Sequence, residues 1–375
     1  MTLSVHIIGG GPAGCATALA LYQQAQRLDL SISINIVTDS DTAAFHIGET
    51  IPPAATESLT KLGISELLNE GHLSCPGSIS VWGNKTPGYN DFLFTPVGQG
   101  YHLNRKLFNQ QLVQCCQNLG IQLINDTKIK KVETNANKVT LTLQKKSEHT
   151  TLEEITTDFV VDATGIRGFV ARALGVTRNE YDSVLSLCAF YNTRNTNNRP
   201  SHTLVSTSNV GWWYASQLPN NQAIVSLCTD AETLKQHQLK QPADWFNHFL
   251  ATDWFFNQCT ESFQCSLDQP ENLHLRVSPS AILTNCVGQR WLAVGDAASS
   301  YDSMTSAGIT KALNHGILAG NAIGHFLLGD NSKALKDYQA TVFNDFNQYL
   351  RLHQLLYSKE QRYIDSGFWK RRIFS

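Results

Sequence analysis

The sequence contains no pair of cysteines at CxxC spacing, although nine cysteines are present: Cys15, Cys75, Cys115, Cys116, Cys188, Cys228, Cys259, Cys265 and Cys286. That absence argues against a zinc site or a redox dithiol, and the odd count argues against a closed disulfide framework. The thiols are expected to be reduced and mostly buried, as in a cytoplasmic protein, and to pack as small apolar side chains. The histidines do not pair at metal-ligand spacing, so no metal site is expected. Basic patches are missing as well. Lys370, Arg371 and Arg372 form the only run of three consecutive cationic residues in a chain of net charge -2, which does not suit a nucleic-acid partner. No window approaches the ~18 uninterrupted apolar residues of a spanning helix, so no membrane partner is expected. The apolar stretch Leu3 to Leu21 lacks a basic leader and is broken by Gly9, Gly10, Gly11, Pro12 and Gly14, which argues against a secretory signal.

What is present is a chain of 375 residues, 42% hydrophobic and 16% charged, enough for a large core and for two domains or one domain with an insertion. Leu3 to Ile8 reads as a buried strand, Pro12 sits near the first turn of a helix with small residues on its inner face, and Ile32, Ile34 and Ile36 alternate as a second strand. A further helix is expected from Arg105, with Gly120 as its stop, followed by strands around Ile129 to Val132, Val139 to Leu143 and Phe159 to Val161. From Val184 to Cys228 strand follows strand, with a hairpin at Asn220-Asn221, as in an antiparallel layer. Trp291 to Val294 returns to a buried strand, and two helices are expected over about 308–328 and 333–364. The expected class is α/β, a nucleotide-binding domain interrupted by a mainly antiparallel β domain and closed by C-terminal helices.

Two segments carry chemistry. Gly9-Gly10-Gly11-Pro12-Ala13-Gly14 fits GxGxxG between a strand and a helix. Gly9 permits the tight turn, Gly11 lets backbone approach a pyrophosphate, Gly14 lets helix pack on strand, and the helix N-terminus faces the phosphates. The ribose partner is expected at the end of the second strand, at Asp39 or at Thr38. Asp39 comes 30 positions after Gly9, against the usual ~20. Near the other end, Gly295-Asp296-Ala297-Ala298 closes a buried strand, where Asp296 would bond a ribityl hydroxyl. The turn through Ser306, Ala307 and Gly308 into Ile309 offers backbone N–H groups to the flavin edge where negative charge develops on reduction. The combination points to FAD.

With Asp162-Ala-Thr-Gly165 in the middle, GGGPAG and GDAA resemble the three fingerprints of class A flavin monooxygenases. The resemblance implies a para-hydroxybenzoate-hydroxylase-like fold. Residues 1–75, 100–178 and 276–330 would form a discontinuous FAD domain, 76–99 and 179–275 a substrate domain, and 331–375 a C-terminal helical segment. Gly48-Glu49-Thr50-Ile51-Pro52-Pro53 resembles the flavin-lining segment of the tryptophan-halogenase branch, and Arg105 matches the family arginine near FAD. Trp212-Trp213-Tyr214 is similar to that branch's Trp-rich strand, with altered spacing. The lysine that relays hypohalous acid should precede Trp82, yet that stretch reads Gly77-Ser-Ile-Ser-Val-Trp82 and the nearest lysine, Lys85, follows it. Halogenation is therefore disfavoured.

GDAASSYDSMTSAGITKAL, with GETIPPAA and GWWYASQLP, resembles a narrower group, flavoproteins that modify a tryptophan in precursors of lysine- or cysteine-tryptophylquinone oxidases. The resemblance implies an FAD-dependent monooxygenase in which reduced flavin captures O2 as a C4a-(hydro)peroxide and hydroxylates an indole of a precursor protein, using an external reductant. A small-molecule aromatic hydroxylase and a precursor-binding flavoprotein without turnover are the alternatives. Candidate catalytic residues are Glu49, which would face the flavin, and His46, as an aid to proton transfer, with Trp82 and Trp213 lining the substrate space. Alternation puts Trp212 and Trp213 on opposite faces of their strand. Trp245, Phe246, Phe249, Trp254, Phe255 and Phe256 are candidates for an exposed protein-recognition surface.

Overall fold

The computed structural model describes residues 2–39, 50–92, 95, 98–147, 151–194, 201–329 and 332–373. The first unit is the expected one: strand β1 (Leu3–Ile8), helix α1 (Pro12–Arg27) and strand β2 (Ile32–Val37). β1 lies between β2 and the strand Phe159–Asp162, parallel to both, in a six-stranded sheet that continues to Gln122–Ile124 on one side and to Trp291–Ala293 and Val287–Gly288 on the other. Parallel strands need cover on both faces, which explains the near-continuous apolar run Phe159-Val160-Val161.

One helix covering this sheet, Gly308–Gly329, packs along α1. Its Gly316, Gly320 and Gly324 recur every fourth residue and share one face. A Cβ at Gly316 would lie 2.5 Å from the Ala16 Cβ, and one at Gly320 would lie 2.6 Å from the Leu21 nitrogen. The small seam lets the two helices approach closely. It also brings their N-termini, one from each end of the sequence, to the same edge of the sheet.

The second layer is an eight-stranded sheet in the order 299–300, 274–283, 178–192, 222–229, 211–218, 203–208, 77–81 and 88–91. Every neighbouring pair is antiparallel except 203–208 with 77–81. The hairpin at Asn220-Asn221 has φ of 64° and 57° at those residues, the left-handed pair that a tight two-residue turn needs. The strand His274–Leu283 belongs wholly to this sheet, so the domain boundary expected at 276 falls inside an element. It pairs with Arg178–Asn192 over ten positions, a long-range match that composition does not reveal.

The last helix ends earlier than the periodicity suggests. Ser332–Ser358 is helical, the chain then turns, and a short helix, Gly367–Ile373, docks back. The turn is fixed by Glu360, whose buried carboxylate accepts hydrogen bonds from Gly83 N (3.0 Å), Thr207 Oγ1 (2.6 Å) and Arg362. Among the described residues no helix is long and apolar enough to cross a membrane.

Candidate active site

The glycine turn meets each demand placed on it. Gly9 has φ of 119°, and a Cβ there would overlap the Ala163 carbonyl; a Cβ on Gly14 would overlap the Gly9 carbonyl. Gly11 is different, since a Cβ there would meet nothing within 4 Å. Gly9 and Gly14 close the turn on itself, and Gly11 faces open space at the α1 N-terminus. Asp162 holds the facing loop. Its buried carboxylate accepts from Thr164 N (3.1 Å), Thr164 Oγ1 (2.7 Å) and Ala171 N (2.9 Å).

Across the cleft, Gly295 has φ of 62° and touches α1, where a Cβ would come within 2.7 Å of the Ala13 Cβ. Asp296 follows, its side chain 43% exposed and paired with the buried Lys311 Nζ at 2.8 Å. Lys311 also donates to the Ser299 carbonyl and lies 4.1 Å above the Tyr301 ring. Burial pulls its pKa down, and Asp296 opposes that shift. Arg178 clamps the loop from outside by donating to the carbonyls of Asp296 (2.9 Å) and Ala297 (2.7 Å). Ser306, at φ of 49°, turns the chain into the helix that starts at Gly308.

A cavity of about 560 Å³ joins these motifs to the large sheet. Pro12, Arg105, Asp296, Ser306, Gly308 and Ile309 line one wall. Ser186, Trp212, Tyr214, Ile224, Ser226 and Cys228 line the other. The sheet wall is small and hydroxyl-rich, with Ser186 Oγ 3.3 Å from Cys228 Sγ and Cys188 Sγ 3.3 Å from Ser226 Oγ. Burial pushes the Cys228 thiol up to about 12, so it faces the cavity as a neutral thiol.

A model of the FAD binding domain matches residues 2–342. The chain belongs to the FAD binding domain family. It is 27% identical over 373 residues to the protein of Marinomonas mediterranea named as the FAD-dependent oxidoreductase LodB, covering 98% of this chain and 95% of that one. In fold it is similar to the flavin-dependent halogenase CmlS, with a TM-score of 0.82 and 22% identity over 99% of this chain and 68% of the other. It is also similar to QhpG, a peptidyl tryptophan dihydroxylase essential for tryptophylquinone cofactor biogenesis, with a TM-score of 0.77 and 21% identity over 99% and 79%. The protein is an FAD-dependent oxidoreductase.

The residues present suit that cofactor. Gly11 leaves room for a pyrophosphate at the α1 N-terminus, Asp296 presents a carboxylate to the same cleft, and the Gly308 turn opens beside it. Of the expected cofactor residues, Pro12, Thr50, Arg105, Asp296, Ser306, Gly308 and Ile309 converge on one cavity. Asp39 lies at the end of β2 and is engaged by Lys146 (2.5 Å) and Lys128 (3.9 Å). Thr38 stands closer to the glycine turn, its Oγ1 3.6 Å from where a Gly10 Cβ would sit. Glu49 and His46 lie outside the described residues.

Two aromatic assignments need correction. Trp213 points away from the cavity and is fully buried on the far face, 5.1 Å from the Trp245 ring and stacked on Phe249 at 5.3 Å. Its neighbour Trp212 lines the cavity instead. Trp82 does not line that cavity either. Its Nε1 donates to the Leu356 carbonyl (2.7 Å), and its ring packs edge-on against Tyr357 and Trp369. The expected recognition surface is also largely core, since Trp245, Phe249 and Phe255 are fully buried. The sequence reading missed Lys311, Asp302 and Tyr214. The available signal for the first was that Lys311 is the sole Lys, Arg, Asp or Glu in the helix Gly308–Gly329.

Proposed function

We propose that this oxidoreductase is a monooxygenase that hydroxylates a tryptophan side chain of a precursor protein during biogenesis of a tryptophylquinone cofactor. The observation that carries this reading is the cavity itself. It runs from the cofactor motifs to a sheet face whose groups suit an indole: flat apolar contact from Trp212 and Ile224, and hydroxyls from Ser186, Ser226 and Tyr214. The likeness in fold to a peptidyl tryptophan dihydroxylase supports a peptide-borne substrate. None of the described residues that line the cavity is a lysine, which favours oxygen transfer over a halogen relay through an amine.

Bound FAD, once reduced by an external donor, supplies two electrons and activates O2 for transfer of one oxygen atom. The chain's own residues do the rest. The α1 N-terminus and the Gly11 gap would hold the pyrophosphate, Asp296 would take a ribityl hydroxyl, and the backbone at Ser306 to Ile309 would face the flavin edge. Thr50 and Arg105 would close the cofactor side, with Glu49 next to Thr50 in sequence, and the apolar surface of Trp212, Ile224 and Ile309 would help to exclude water.

The test is aerobic turnover of the reduced holoprotein with an unmodified precursor, read by mass spectrometry of the precursor. A gain of one oxygen on a tryptophan-containing peptide is expected. Efficient oxidation of a free aromatic compound with no change in any precursor would move the assignment to a small-molecule hydroxylase, and a bromine isotope pattern would move it to a halogenase.

A further inference from the structure

The strand His274–Leu283 uses only part of one edge. On its inner side it pairs with Arg178–Asn192 all the way from Leu283 to His274. On its outer side it pairs with Ser299–Ser300, and only at Ala281 and Ile282. From His274 to Pro279 no described strand meets that outer edge. A bare row of N–H and C=O groups is a template for another strand. Here the row opens on the cavity, since Arg276, Val277 and Ser278 line it together with the exposed Ile166.

The direction of each main-chain group follows from alternation. Leu283 N donates outward, to the Ala298 carbonyl at 3.0 Å. In an antiparallel ladder successive residues bond to opposite sides, so Ala281, Pro279, Val277 and Leu275 face outward while Ser278 and Arg276 bond inward. Pro279 fits this phase: it sits opposite Ser183 without breaking the pairing, because the N–H it lacks belongs to the outer edge. The Leu275 carbonyl fits as well, since it accepts from Arg276 Nη1 at 3.1 Å. Side chains alternate too. Leu275 and Val277 turn to the exposed face. Arg276, Ser186, Cys228 and Trp212 are successive partners across four strands, and all four line the cavity.

We propose that an extended segment of the precursor protein adds to this edge as a further strand, with its main chain bonded to Leu275 and Val277. A tryptophan placed opposite Arg276 then continues the row that ends on Trp212, and alternation turns its indole onto the cavity face. The identity of the occupant rests on the function proposed above; the mode of docking rests on the edge. Strand addition draws its affinity from the peptide backbone and its specificity from pockets for alternate side chains. The cavity is such a pocket, and it adjoins the open stretch of edge.

The experiment uses the FAD-loaded protein and a synthetic peptide, a tryptophan flanked on both sides by alternating valine and threonine, with blocked ends. With peptide at about ten times its dissociation constant, hydrogen exchange at the Leu275 and Val277 amides should slow roughly tenfold. The Arg276 and Ser278 amides, already in the ladder, should not change. Methylating the peptide's main-chain nitrogens one at a time should abolish the protection at alternate positions only. Val277→Pro, checked for wild-type flavin content, should weaken peptide binding roughly two- to tenfold. No protection at saturating peptide, or an equal loss at every methylated position, would overturn the proposal. Protection that needs no peptide and rises with protein concentration would assign the edge to a second copy of the chain, and would overturn it as well. Phase-dependent protection without oxygen gained on the peptide's tryptophan would leave the docking mode standing and count against the tryptophan substrate. Oxygen gained without protection would do the reverse.

Discussion

The two walls of the cavity are built from different materials. The cofactor wall is mostly main chain: a glycine turn, two helix N-termini and carbonyls clamped by Arg178, with few side chains reaching inward. The sheet wall is nearly all side chain, a patch of serines and Cys228 with Trp212, Tyr214 and Ile224. A wall of backbone recognises a constant ligand through geometry and is spoiled by any added atom. A wall of side chains can be altered residue by residue while the sheet behind it persists. Substitutions on the first should act on cofactor retention, and substitutions on the second on what reacts and how fast.

The sharpest test of that division is Gly11→Val. Nothing lies within 4 Å of the added Cβ, so the protein should fold with wild-type circular dichroism. The side chain takes the space of the pyrophosphate, so the purified variant should carry no flavin absorbance. Full flavin content would show that the turn is not the phosphate site.

Next in size is the contrast between adjacent tryptophans. Trp213→Ala removes a ring packed among Trp245, Phe249 and Phe255 and should cost about 3–5 kcal/mol in denaturant unfolding. Trp212→Phe keeps most of the cavity's apolar surface and gives up one hydrogen bond, to Tyr357. It should cost about 1 kcal/mol yet slow precursor oxidation more than Trp213→Phe does. Equal kinetic effects from the two would erase the distinction between the faces.

These cases also show what the sequence made legible. The glycine turn was readable because φ of 119° at Gly9 and the contact at Gly14 exclude a side chain, a demand that one residue type meets. Asn220-Asn221 was readable for the same reason. Trp212 and Trp213 were readable as a pair on opposite faces, but not as to which face was which. That depends on the helices Pro242–Leu250 and Asp253–Phe263 settling against one side. Trp82 was misread because its partners Tyr357 and Trp369 come from the far end of the chain. The ion pairs that join Arg372 to Asp182 and Asp230, each at 2.8 Å, were invisible for a like reason, since their partners lie more than a hundred positions apart in sequence.

A smaller effect is expected at Lys311, a buried side chain on which the cofactor wall leans. Lys311→Met matches the stem length and removes the charge that holds Asp296. Because Asp296 is 43% exposed, water takes up part of the lost interaction, so the fold should survive. A carboxylate no longer held in place should bind the ribityl chain less well, and FAD affinity measured by flavin fluorescence should fall by roughly tenfold, about 1.4 kcal/mol. Unchanged affinity would mean that Asp296 does not contact the cofactor.

The smallest effect, and the one that probes the sheet wall most cleanly, is expected from Tyr214→Phe. Tyr214 Oη lies 2.7 Å from Thr50 Oγ1, which lies 2.9 Å from His102 Nδ1, and His102 Nε2 donates to the Ser201 carbonyl at 2.9 Å. With the His102 proton on Nε2, Nδ1 accepts from Thr50, and Thr50 is free to accept from Tyr214. The phenol is thereby held at the seam between the two walls, where Thr50 begins the cofactor side. Deleting the hydroxyl removes its contacts with Thr50 and with Ser216 Oγ (3.1 Å), each of ~0.5–1.5 kcal/mol, and leaves the ring in place. Precursor oxidation should slow roughly two- to tenfold, with FAD affinity unchanged because Thr50 keeps His102. A loss of flavin from Tyr214→Phe would show that the walls are coupled through Thr50, and that the sheet helps to hold the cofactor as well as to face the substrate.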